Sequence, residues 1–185
     1  MLAAVTESPG KVLYLIVCAA GPAAEVGRLV GLAQEEGWIV QIVATPSALD
    51  FIDVAGLERQ TGRPVRSQYR KPYEPKPPRA DAIIVAPATY NTINKFAQGI
   101  ADTYALGVLA EAPGLGIPVV VLPFVNSALA ARTAFRRSVE ELRADGVCVL
   151  FGPGQFEPHE PSSGADRFDS YPWKRVLAEL AGRDS

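Results

Sequence analysis

Apolar residues along this chain fall into short unbroken runs, separated by stretches with helical spacing. The runs are Lys11 to Cys18, Trp38 to Ala44, Asp81 to Ala86, Pro118 to Leu122 and Val147 to Phe151. Their continuous, β-branched character suits strands covered on both faces. Between the first two, Val26, Leu29, Val30 and Ala33 repeat at helical spacing, and the helix is expected to end near Gly37. After the third run, periodicity resumes through Ile93, Phe96, Ala97 and Ile100. Gly99 and Ala101 then mark a break before a second segment, Asp102 to Ala112, with Asp102 as its N-cap. Ala131, Phe135, Val139 and Leu142 share one face of a later helix that ends at Gly146, and Tyr171 to Ala181 closes the chain as a helix. Strands alternating with helices predict a three-layer, doubly wound α/β fold with a parallel sheet, in one domain over residues 1–185.

Three segments fall outside this pattern. Met1 to Gly10 reads as a frayed leader. Arg63 to Arg79 carries Arg63, Arg66, Arg70, Lys71, Lys76 and Arg79 against one acid, Glu74, with prolines at 64, 72, 75, 77 and 78. Such proline density excludes helix and leaves room only for a short strand at Val65 to Tyr69. Read locally, the segment is a solvated linker; the alternatives are a basic flap over an anionic ligand or a subunit contact. Gly152 to Ser170 is rich in Gly, Pro, Ser and acid and too long for an ordinary connection, so it is expected to be a disordered loop or a mobile lid.

Composition narrows the function. Eighteen basic residues against 20 acidic ones give a net charge of -2, which argues against a surface built for nucleic acid. The apolar runs are too short to span a bilayer and no cleavage site follows a charged leader, so a cytoplasmic location is expected. Cys18 and Cys148 both sit in apolar runs, as small buried hydrophobes rather than a disulfide or metal pair. His159 is the single histidine, which argues against a histidine-based metal centre; no metal site is expected.

The candidate chemistry lies just beyond the carboxyl ends of the strands, the edge where open α/β sheets bind ligands. The turn at Gly21 and Pro22 would bring backbone N–H groups at a helix start toward a phosphate, although it equally suits a close-packed turn. Thr45 and Ser47 would cap the next helix or bond a ligand, and capping is the simpler local reading. Pro87 to Thr92 supplies the short polar side chains of Thr89, Asn91 and Thr92 beside small Ala88. An ordinary helix cap is again the plain alternative. Asn126 stands just past the fourth strand.

The stretch APATYNTINKFAQGIAD, residues 86–102, resembles the signature of the homo-oligomeric flavin-containing cysteine decarboxylases. That family includes phosphopantothenoylcysteine decarboxylases and lantibiotic-type peptidyl-cysteine decarboxylases, with flavin prenyltransferases as more distant relatives. The resemblance runs from about Lys11 to Pro153 and implies a Rossmann/flavodoxin-like domain holding FMN without a covalent link. It also implies a homotrimer or a multiple of one, and a small-molecule or peptide thiol as substrate. By position it assigns to the cofactor Gly21, Pro22, Thr45, Ser47, Phe51, Ala86, Pro87, Ala88, Thr89, Asn91, Thr92 and Asp102. Asn126 takes the place of a residue that contacts flavin or substrate carboxylate. The family's histidine base, shortly before the third strand, has no match here; Tyr69 and Tyr73 stand nearby and are the candidate replacements, their phenols expected to be acidified by the neighbouring cations. His159 does not match that position. The 152–170 segment carries no cysteine, and Val125 replaces a methionine in the second motif. The resemblance therefore implies a cysteine decarboxylase-like oxidoreductase, with a non-catalytic FMN-binding or flavin-carrier protein as the alternative. A flavin prenyltransferase fits less well.

Overall fold

The computed structural model describes residues 10–182; the expected leader at Met1 to Gly10 lies, but for Gly10, outside them. Five parallel strands form one sheet: β1 (Val12–Val17), β2 (Ile39–Ala44), β3 (Ala82–Ala88), β4 (Val119–Pro123) and β5 (Cys148–Val149), in the order β2-β1-β3-β4-β5. Because side chains alternate along a strand, the sheet divides its apolar residues between two layers. Leu13, Leu15, Val17, Ile84, Val120 and Leu122 face the helices α1 (Gly27–Glu35) and α7 (Trp173–Ala181). Tyr14, Ile16, Cys18, Ile83, Val85, Val119 and Val121 face the other side. Covering them are α3 (Tyr90–Ala97), α4 (Tyr104–Glu111) and α6 (Thr133–Ala144). Two short helices complete the set: α2 (Val54–Thr61), whose Leu57 packs on the first layer, and α5 (Ser127–Ala130). This is the doubly wound sheet expected from the sequence.

Several boundaries differ, each for a local reason. The fifth strand pairs only over Cys148 and Val149, against Val120 and Val121, and not across 147–151. The strand expected at 65–69 shrinks to one bridge, with Arg66 N donating to Ile42 O (3.1 Å) and Ala44 N donating to Arg66 O (2.8 Å). Ile100 lies outside α3, because Gly99 adopts φ +69° and the helix has ended. Asp102 does not cap the next helix; Thr103 does, its Oγ1 accepting from Leu106 N at 3.2 Å. The helix predicted through Ala131 breaks at Arg132, whose extended backbone separates α5 from α6. Cys148 is only half-buried, with its Sγ 3.9 Å from Glu179 Oε2.

Residues 152–170 fold back over the end of β4. Phe156 is buried, residues Gly164–Arg167 form a 3-10 turn, and His159 pairs with Asn126 through an isolated parallel bridge. Among the described residues no helix is long and apolar enough to cross a membrane.

Candidate functional site

The chain leaves β1 toward β2 on one side of the sheet and leaves β3 toward β4 on the other. Neighbouring loops therefore diverge at the carboxyl edge between β1 and β3 and open a crevice. A cavity of about 350 Å3 occupies this crossover. Ala19, just after β1, and Thr45, Pro46 and Ser47, just after β2, form one wall; Thr89, Asn91, Thr92 and Lys95, at the start of α3, form the opposite one. Thr103 and Leu106 close it from α4. A volume in this range suits a small molecule or part of a nucleotide cofactor.

Thr89 has two jobs. Its Oγ1 accepts from Thr92 N at 3.4 Å as the N-cap of α3, and its hydroxyl also donates to Thr92 Oγ1 at 3.2 Å. Thr92, buried at the cavity floor, accepts a further bond from the Cys18 thiol at 3.4 Å. Burial pushes the Cys18 thiol up, so it stays protonated and serves as that donor. With its oxygen engaged twice, Thr92 has its own proton left to offer to the cavity. Across the cavity, Thr45 and Ser47 make no side-chain cap on the 3-10 turn Pro46–Asp50, contrary to the simpler local reading. Both hydroxyls line the cavity instead. Lys95 is the one cation in the lining and pairs with Asp102 Oδ2 at 2.5 Å; Asp102 itself is not part of the lining.

Thus Thr45, Ser47, Thr89, Asn91 and Thr92 are brought together. Ala86, Pro87 and Ala88 are the buried end of β3, joined by a cis Ala86–Pro87 bond and supporting the loop from below. Phe51 ends the 3-10 turn outside the lining and is 45% exposed. Pro22 is buried, and the turn at Gly21 is occupied by protein: a Cβ there would lie 1.9 Å from Cζ of Phe168. Sequence reading missed Lys95, which follows Asn91 and Thr92 by one helical turn and so shares their face. It also missed Thr103 and Leu106, which only the packing of α4 brings in.

Tyr69 and Tyr73 lie elsewhere. Tyr69 stands edge-on to Tyr104, with ring centroids 5.2 Å apart, over a separate cleft of about 270 Å3 that Tyr14 also lines. Burial pushes the phenols of Tyr14 and Tyr104 up, and Tyr14 donates to Pro78 O at 2.7 Å. Tyr73 is 79% exposed, with Lys71 Nζ 6.0 Å from its ring centre.

Asn126 is outside the cavity lining and stands at the end of the neighbouring strand, on the same carboxyl edge of the sheet. Phe124 N donates to Ala88 O at 2.8 Å, which ties the end of β4 to the end of β3. Two residues later, Asn126 Oδ1 accepts from Leu129 N at 2.9 Å as the N-cap of α5. Beside it lies His159, stacked on Phe124 with ring centroids 4.6 Å apart. Burial, then the charge of Arg167, lowers the pKa of this imidazole. Nothing in the sequence points to this neighbour, because 33 positions separate the two residues.

A family model described as Flavoprotein matches residues 2–172. The chain belongs to the flavoprotein family. Among curated proteins it is 31% identical over 137 residues to the coenzyme A biosynthesis bifunctional protein CoaBC of Bacillus subtilis, covering 70% of this chain and 31% of that protein. Against the CoaBC protein of Escherichia coli K12 it is 28% identical over 151 residues, covering 78% of this chain and 36% of the relative. The chain therefore spans about a third of the length of these relatives. Among solved structures, the FMN-dependent cysteine decarboxylase TvaF of thioviridamide biosynthesis is similar, with TM-score 0.70 and 25% identity over 92% of this chain and 98% of that one. SpaF, another FMN-dependent cysteine decarboxylase, gives TM-score 0.63 and 25% identity over 82% and 86%.

Proposed function

We propose that this flavoprotein holds FMN at the β1/β3 crossover and uses it to oxidise a cysteine-type substrate with loss of carbon dioxide. The observation that carries this reading is the hydroxyl-, amide- and ammonium-lined cavity at the carboxyl edge. The likeness to TvaF and SpaF supports the choice of cofactor and reaction. The donor set fits FMN. Thr45, Ser47, Thr89 and Asn91 suit the polar atoms of a ring and its polyhydroxyl tail, Lys95 suits a phosphate, and Ala19, Pro46 and Leu106 offer apolar contact. Bound FMN supplies a two-electron acceptor for the thiol-bearing carbon. The protein binds and orients: Thr92 donates from the floor, and Asn126, its Oδ1 committed to α5, presents only its NH2 donors to a substrate carboxylate. A trimer belongs to the same reading, with Leu49 and Phe51, exposed beside the Thr45 loop, suited to a subunit contact.

A second reading, FMN binding without turnover, draws on the position of Tyr69 and Tyr73, both outside the cavity lining. The purified chain is loaded with FMN and mixed without oxygen with cysteine-ended peptides or phosphopantothenoylcysteine. Flavin bleaching with carbon dioxide release supports the enzyme; retained FMN with neither event supports the binding protein. Asn91→Leu is expected to lose FMN on gel filtration, and a wild-type flavin spectrum in that variant would remove the cofactor from this cavity.

A further inference from the structure

Residue 159 is the chain's single histidine, and the fold carries it from the far carboxyl-terminal region to the one strand end that bears Asn126. The contact is specific. Ser127 N donates to His159 O at 2.8 Å, and His159 N reaches toward Val125 O at 3.4 Å, which sets Asn126 and His159 directly opposite in a parallel pair. Residues opposite one another in such a pairing project to the same side.

Several features hold the imidazole in place. It stacks on Phe124, with planes inclined by 29°. A Cβ on Gly164 would come within 3.0 Å of His159 Nε2 and 3.3 Å of Phe124 Cε1, so a glycine at this point leaves the ring its space. Phe124 in turn packs against Phe156, Phe168 and Tyr171, and Tyr171 donates to Leu122 O at 2.7 Å. The ring is thus fixed to the end of β4 by both its backbone and its stacking. Its Nδ1 is buried with no hydrogen-bond partner among the described residues, a costly state for a polar atom. A purely structural ring at this position would be served better by an apolar side chain.

We infer that His159 is the proton acceptor of this site, taking the S–H proton of a thiol substrate whose carboxylate is held by Asn126. The inference rests on the cysteine-oxidising reading above. In the step itself the S–H bond breaks, its electron pair stays on sulfur, and a new N–H bond converts the imidazole to imidazolium. The thiolate that remains would be the form poised to give up two electrons to bound FMN. Burial of the ring favours the neutral imidazole, the form that accepts a proton. The role falls to a residue on the 152–170 segment, which folds back over the end of β4.

The single histidine makes the test direct, since imidazole-labelled protein gives one ring signal in solution NMR. The full chain, His159→Gln and His159→Ala are each loaded with FMN and mixed anaerobically with a peptide ending in cysteine, and separately with the same peptide ending in serine. The inference expects both variants to keep FMN with an unchanged visible spectrum. It expects the cysteine peptide to move the wild-type imidazole signal, and flavin bleaching to slow at least about 100-fold in both variants. Free imidazole should restore bleaching in His159→Ala, which a merely structural role would not allow. Bleaching within about threefold of wild type in variants that retain FMN overturns the inference, since a general base supplies far more than that. So does a ring signal unmoved by a peptide that bleaches the flavin. Retained FMN with no response to any thiol removes the base and leaves the binding-only reading; failure of the wild-type chain to retain FMN removes the flavin reading itself.

Discussion

Thr92 is the residue at which support and binding meet. Its hydroxyl accepts from Cys18, at the end of β1, and from Thr89, at the cap of α3, so one oxygen joins the two elements that diverge at the crossover. Thr92→Val keeps the shape of the side chain but leaves the Cys18 thiol and the Thr89 hydroxyl without that acceptor. The expected loss is about 1–3 kcal/mol of folding stability, the usual cost of orphaned buried donors. Weaker FMN retention should accompany it. Urea unfolding and equilibrium dialysis measure the two effects, and an unchanged value in either would mean that the network is dispensable there. The sequence offers Thr89, Asn91 and Thr92 alike as ligand groups, with an ordinary helix cap as the alternative. The structure shows the cap at Thr89, whose oxygen accepts from Thr92 N while its hydrogen goes to Thr92 Oγ1. Capping residues and ligand residues are drawn from the same short polar set, so local sequence could not separate the roles.

Among elements, the basic segment 63–79 shows how a proline-rich stretch is anchored without regular structure. The bridge from Arg66 to Val43, with Gln41 Nε2 donating to Pro64 O and Val65 N donating to Glu58 Oε1, holds one end, and the Tyr14 hydroxyl bonded to Pro78 O holds the other. Between them, Tyr69 rests on α4, where its hydroxyl fills the space over Gly107: a Cβ there would lie within 2.0 Å of that oxygen. Gly107→Ala is therefore expected to lift Tyr69 and free the loop. Tryptic cleavage after Arg70 should quicken several-fold while FMN binding at the crossover stays intact; unchanged cleavage would show that Tyr69 does not anchor the loop. Residues 65–69 offer only Val65 and Tyr69 to a strand, and Pro64 with the prolines from 72 onward leaves no room for a ladder. At the other end of the sheet, Val147 to Phe151 keeps its apolar pattern while pairing over only two residues. Burial pattern reveals that a strand exists, and the neighbour it meets decides its length.

For the whole molecule, a parallel sheet covered on both faces followed from hydrophobic pattern, because buried parallel strands read as unbroken runs, whereas the strand order is known only from the structure. The cavity walls at Thr45, Ser47 and 89–92 followed from the rule that ligands sit past carboxyl strand ends. What the sequence did not disclose are the contacts made by return of the chain upon itself: α4 bringing Leu106 to the cavity, and the 152–170 segment bringing His159 to Asn126 and Phe168 to Gly21. Such long-range partners carry no local periodicity. The last of them has a kinetic consequence. With the Phe168 ring packed over the Gly21 turn, a phosphate that used this turn instead of Lys95 would have to wait for the ring to leave. In stopped-flow mixing, the observed loading rate should then level off as FMN concentration rises, at the ring's own departure rate. Phe168→Ala should abolish the plateau and make the rate climb in proportion to concentration; a linear dependence in the wild-type chain would mean that the phosphate never uses that turn.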